Sequence, residues 1–217
     1  MKKLSWWRWQ DTAILLIGLC SIGFAVINYQ RLPDQLPIHF NVQGEADRFG
    51  DKLSSLGLIS AIALLLPFAL LATKFFDPKR ANYAKFASAY ANIRLILALV
   101  FNFVLVSTVL YGLGTPIKTT QFALIAVGLL FFVLGNFMPQ IKDNYFVGIR
   151  TPWTLNDPEV WRKTHRIGGK LWMLAGLIVV LGSFLPPAWK TAVILVAFIP
   201  LLIVPTVYSY LISPKKK

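Results

Sequence analysis

The side chains best suited to recognition chemistry crowd into residues 136–172, where Trp, Arg, His, Gly and Pro stand at spaced positions in an otherwise oily chain. Asn156, Asp157, Pro158 and Glu159 make a helix start: a capping side chain, proline in the first turn, and an acid near the positive helix end. On the helix that follows, Trp161, His165, Gly168 and Trp172 fall close to one face, at offsets of 4, 7 and 11. Arg162, Arg166 and Lys170 form a neighbouring cationic stripe at offset 4. Upstream, residues 148–154 read as a compact turn that sets Arg150 beside Trp153. An arginine there can bind phosphate or carboxylate while stacking on indole. It equally suits a pinning role, satisfying backbone carbonyls or Asp157. His165 reads first as a hydrogen-bonded structural histidine. Gly168 and Gly169 suit close helix packing, because no nucleotide-binding fingerprint surrounds them.

A second polar island lies at residues 30–52. Two prolines make residues 32–37 extended, and residues 38–43 then alternate apolar and polar in the period of a half-buried strand, with His39, Asn41 and Gln43 on the polar face. Residues 45–49, between Gly44 and Gly50, read as turn-rich. His39, Asn41, Glu45 and Asp47 form a candidate ligand surface whose acids would attract a cationic peptide. A small cap packed on helix ends fits the same residues. His39 and Asp47 match no metal-ligand spacing, and the other histidine, His165, falls on the opposite side of the membrane. No metal and no cofactor are expected.

Spanning helices must position these islands. The chain has 217 residues, 56% hydrophobic and only 14% charged, where a soluble domain has about a quarter charged. Apolar runs reach the roughly 18 to 20 residues that a bilayer core demands. They predict six spans, at about 12–29, 53–76, 93–113, 122–137, 171–185 and 191–211. The fold class is an all-α polytopic membrane protein with both termini cytoplasmic. A small extracellular loop (30–52) carries a short strand-like segment, and a long cytoplasmic loop covers 140–170. Residues 1–76 read as an N-terminal module and 77–217 as a C-terminal one.

Charge supports that topology. The net charge is +13, yet seventeen of the 22 Lys and Arg fall on inner ends and loops. That asymmetry follows the positive-inside rule and favours anionic lipid, not direct nucleic-acid binding. Trp6, Trp7 and Trp9 suit an interfacial belt, Lys2 and Lys3 begin an uncleaved first span, and Lys215 to Lys217 anchor the other end. Cys20 is the only cysteine, so no disulfide forms within the chain. No Asp or Glu is expected inside a span, which argues against ion-coupled transport. Asn102 suits an interhelical hydrogen bond. An enzyme is not expected, since no nucleophile and base share one side of the membrane.

These residues resemble the SdpI/YfhL family of bacterial membrane immunity proteins. Leu36-Pro37-Ile38-His39-Phe40-Asn41, with Gly44, Asp47, Gly50 and Lys52, is similar to the outer-loop signature of that family's N-terminal module. Asn136, Pro139, Asn144, the run Gly148-Ile149-Arg150-Thr151-Pro152-Trp153-Thr154-Leu155, and Trp161-Arg162-Lys163-Thr164-His165-Arg166 are similar to that of the C-terminal module. The resemblance implies a multi-pass protein of the bacterial cell membrane that protects against a secreted killing peptide. It also implies capture of a cytoplasmic transcriptional repressor at the membrane once the toxin is present. The toxin would be met near the outer His39, Asn41, Glu45 and Asp47. Arg150, Trp153, Trp161, Arg162, His165 and Arg166 would serve a ligand or partner on the inner loop. A reading in another class is a transporter or lipid-handling protein that binds phosphate headgroups through Arg150.

Overall fold

The computed structural model describes residues 7–41, 45–116 and 118–214. Lys2, Lys3, Trp6, Gln43, Gly44 and Lys215 to Lys217, on which parts of the sequence reading rest, lie outside them. In hydrocarbon every backbone polar group must be satisfied within the segment, and the long apolar runs accordingly form α1 (Trp9–Asn28), α2 (Lys52–Phe76), α3 (Ala87–Gly112), α4 (Thr119–Phe137), α6 (Pro158–Gly182) and α7 (Pro187–Leu211). Among the described residues these six helices are long and apolar enough to cross a membrane. A five-residue helix, α5 (Pro152–Asn156), precedes α6 in the inner loop. The sequence showed only a turn there.

Helix α3 packs on α1 and α2, α6 packs on α4 and α7, and α3 meets α4 between the two groups. The α4–α6 contact is backbone against backbone. A Cβ on Gly135 would lie 2.6 Å from the Gly169 carbonyl oxygen, and one on Gly128 would lie 2.7 Å from that of Gly176. Small residues permit this approach, and dispersion between close backbones then holds the pair.

One expectation about the bundle is corrected. Helix α1 starts at Trp9, a turn earlier than the predicted span, and carries Asp11 inside. Asp11 and Arg94 of α3 are each 1% exposed, with Oδ1 and Nη2 2.6 Å apart. A carboxylate therefore does lie within a spanning helix, and Arg94, counted from the sequence among the cations at inner ends and loops, belongs to the core. Each charge makes the other tolerable there, since neither could be buried alone. Gln10 donates to Asn92 at 2.8 Å, and Ser21 donates to Asn102, so the α1–α3 seam is polar along much of its length. Arg94 also reaches the Pro67 carbonyl of α2 at 3.4 Å.

At the outer end β1 (Gln35–Phe40) pairs antiparallel with β2 (Ala46–Asp51). Residues 46–49, read from sequence as turn, are strand. Asp and Gly are poor β-formers, and pairing with β1 overrides that local preference. Bulges on both sides of His39 break the simple alternation expected of 38–43. Leu36 is fully buried among Ala25, Leu32, Leu56, Leu105 and Val109, so the hairpin base plugs the outer end of α1, α2 and α3. Asp51 closes the hairpin by accepting the Ser54 N–H at 2.9 Å as the cap of α2.

Candidate functional site

The inner loop is tied down by groups from both halves of the chain. Asp77, just beyond α2, is 1% exposed and its carboxylate accepts three donors. These are the Lys79 N–H at 2.7 Å, the Tyr83 hydroxyl at 3.0 Å and the Tyr145 N–H at 3.0 Å. Asn82 donates to the Asp143 carbonyl and carboxylate at 2.9 and 3.0 Å. Lys79 pairs with Asp143 at 3.0 Å and donates to the Leu155 carbonyl at 3.2 Å. The 3₁₀ stretch Arg80–Phe86 that carries Asn82 also sends Tyr83 and Phe86 into an aromatic cluster with Tyr90 and Trp161. Within the loop, fully buried Asn144 donates to the Lys142 and Val147 carbonyls and accepts from the Phe146 and Val147 amides, so both ends of its side chain are satisfied.

Behind the loop sits His165, fully buried and stacked on Trp161 with ring centroids 4.0 Å apart. Its Nε2 accepts the Ile149 N–H at 2.9 Å, and its Nδ1 faces the Trp161 carbonyl at 2.8 Å. Acceptance at Nε2 requires that nitrogen to be bare, so the proton sits on Nδ1 and the ring is neutral. Trp161 in turn donates through Nε1 to the Ile141 carbonyl at 2.9 Å. Gly148 passes over the two rings at a φ of +122°. A Cβ there would collide with His165 Nε2 and lie 3.0 Å from the indole, so only glycine fits. Thr151 and Thr154 form a capping box that starts α5, and the Thr151 hydroxyl meets Ser209 of α7 at 3.0 Å.

The sequence-derived inner residues therefore divide into two sets. Trp161 and His165 are buried and hold the loop through its backbone. Arg150, Arg162 and Arg166 are exposed. Arg150 donates to the Tyr145 carbonyl at 2.7 Å, while Trp153 packs on Tyr210 with centroids 5.1 Å apart. Arg162 forms a two-point pair with Glu159 at 2.8 and 2.5 Å. Arg166 and Lys170 stand on the same exposed face. That stripe can receive an anionic surface; the buried set can transmit a shift of α6 to the loop.

At the outer end the structure brings all four candidate residues together across the hairpin. His39 Nδ1 meets the Asp47 carboxylate at 2.6 Å, and Asn41 exchanges bonds with Glu45 at 3.2 and 2.9 Å. The His39 hydrogen bond holds the Asp47 carboxyl below its ordinary value. No group of three His, Cys, Asp or Glu gathers to hold a metal among the described residues.

Residues 140–209 match the SdpI/YfhL protein family, and residues 16–64 match a domain of unknown function designated DUF1648. Immunity protein SdpI of Bacillus subtilis (strain 168) is 27% identical over 198 residues, covering 90% of this chain and 92% of that protein.

The chain is similar to the SdpI/YfhL family over residues 140–209.

With six spans it is a multi-pass membrane protein. No solved structure matches it. The SdpI/YfhL segment opens in the inner loop and closes at Ser209, the residue that Thr151 touches. The groups that clamp this segment from outside, Asp77, Lys79 and Asn82, come before its first residue. Sequence reasoning passed over them, because an Asp-Pro step at a helix end does not reveal which distant amide the carboxylate will accept. Asp143 was also missed: its partner is 61 residues away.

Proposed function

We propose that this protein gives a bacterium resistance to a secreted antimicrobial peptide. The observation that carries the reading is the similarity to an immunity protein over nearly the full length of both chains, spanning both the outer hairpin and the inner loop. The peptide is met at the outer hairpin, where exposed His39 and Asp47 and the neighbouring Glu45 present a polar, net acidic surface. The response emerges on the inner loop. Arg162, Arg166 and Lys170 offer a cationic face to an acidic regulator such as a cytoplasmic repressor, and anionic lipid headgroups neutralise the cations left free.

Helix α3 supports coupling between the two ends, because it touches the hairpin at one end and carries Tyr90 of the inner aromatic cluster at the other. A ligand shifts such an arrangement only by its differential affinity for two states. The test is survival of a peptide-sensitive bacterium expressing this chain, challenged with a panel of secreted cationic and hydrophobic peptides. Protection against one peptide supports the reading, and no protection against any peptide refutes it. An Arg150→Ala variant at matched membrane abundance separates roles: loss of protection ties immunity to the inner loop, and retention leaves Arg150 structural.

A further inference from the structure

At the outer end a cavity of about 330 Å³ opens between the hairpin, α4 and α7. Its walls run from Ile38 to Asn41 on the hairpin, through Leu124 and Val127 on α4, to Ile194 and Lys190 on α7. Lys190 is only 8% exposed. No hydrogen bond or ion pair reaches its ammonium among the described residues, and the acids of the hairpin are spent on His39, Asn41 and Ser54. A cation seated in a mostly apolar wall with no partner among the described residues favours an anion in the cavity beside it. Thr119 and Thr120, which open α4, line the same cavity, and among the described residues no N-cap side chain bonds the first turn of α4 or of α7. Both helices thus add positive potential at the level of Lys190.

The hairpin wall says what kind of anion fits. Among the described residues, strand β1 pairs with another strand along one edge only, that of β2. Ile38, His39 and Phe40 of this strand all line the cavity, so its unpaired edge runs along the wall as far as Asn41, whose carbonyl accepts the Thr120 hydroxyl at 3.4 Å. A main chain can add to such an edge; a lipid cannot. The volume, at the small end of ligand sites, suits a few apolar side chains and not the two acyl chains of a phospholipid.

We propose that this cavity receives the C-terminal end of an extended apolar peptide, with Lys190 pairing with the terminal carboxylate and the free edge of β1 pairing with the main chain. The proposal rests on the peptide reading above and adds to it the end of the peptide that is recognised. Capture of a terminal carboxylate beside a strand edge is a known mode of peptide recognition.

The test uses the full chain in phosphatidylcholine nanodiscs and a dansyl-labelled Leu-Ala-Val-Phe peptide, as the free acid and as the C-terminal amide, with binding read by anisotropy. The free acid binds saturably, and the amide binds about tenfold more weakly, as expected when one side of a desolvated charge pair is removed. Lys190→Met lowers the free acid to the level of the amide and leaves the amide unchanged, which also reports an intact fold. Lys190→Arg keeps most of the difference. Absence of saturable binding, or equal binding of acid and amide, overturns the proposal. It is also overturned if phosphatidylglycerol added to the nanodiscs abolishes peptide binding in the native chain but not in Lys190→Met, because the site is then a lipid headgroup site. Survival assays run in parallel keep the two readings apart. Protection without peptide binding sinks this site and leaves immunity standing, whereas binding without protection does the reverse.

Discussion

Asp77 is the residue whose removal most sharply tests how the inner loop is held. Its carboxylate accepts the Lys79 amide, the Tyr83 hydroxyl and the Tyr145 amide, at 2.7, 3.0 and 3.0 Å. In Asp77→Ala the Lys79 and Tyr145 amides lie close enough to the surface to find water, while the Tyr83 hydroxyl falls back on a long contact with Thr73 at 3.5 Å. What the loop itself loses is the charge-assisted bond at Tyr145, worth about 2 kcal/mol. That corresponds to roughly thirtyfold faster exchange of the Tyr145 amide, if local opening governs exchange. Asp77→Asn falls between, because one amide oxygen cannot serve donors on both sides. The assay is hydrogen–deuterium exchange of the purified protein in detergent, read at peptides covering residues 141–150, with α3 as the internal reference. Unchanged exchange at Tyr145 in Asp77→Ala would refute the clamp.

Three further outcomes follow from the packing and the outer loop. Asp11→Leu alone strands Arg94 in the bundle and lowers stability by about 3 to 5 kcal/mol, whereas adding Arg94→Met recovers most of it; thermal unfolding of single and double variants in detergent decides this. Gly135→Val places side-chain carbons against the Gly169 carbonyl and the Met173 amide, so α4 and α6 must separate, and the folded fraction by size exclusion drops steeply. For the hairpin the folded Asp47 value is depressed by His39, so the stabilisation is complete above the ordinary value of 3.8 and is lost as pH falls through the lower folded value. A fluorinated phenylalanine at Phe49 should report that opening by NMR, and Asp47→Asn should abolish the pH dependence.

The parts of this molecule that sequence disclosed are those with local causes. Hydrocarbon thickness sets the length of an apolar run, so all six spans were legible. The Asp157 and Pro158 start of α6 followed from capping chemistry, and the separation of Trp161 and His165 from Arg162 and Arg166 followed from helical period. The tight seat of Gly168 and Gly169 followed from their size. What stayed hidden has distant causes. Arg94 looked like a cation at the inner end of a span because its partner Asp11 lies on another helix, ahead of the first predicted span. Strand β2 looked like turn because its strand character comes from β1 and not from its own residues. Lys190 gave no signal until hairpin, α4 and α7 came together around it.

The most direct measurement of the central claim is the minimum inhibitory concentration of the selected peptide for a sensitive bacterium, with and without this chain at verified membrane abundance. Immunity predicts a rise of at least about tenfold with the native chain, and none with Gly148→Val, whose side chain cannot fit over His165. Equal inhibitory concentrations with and without the native chain, across every peptide tested, would contradict the account.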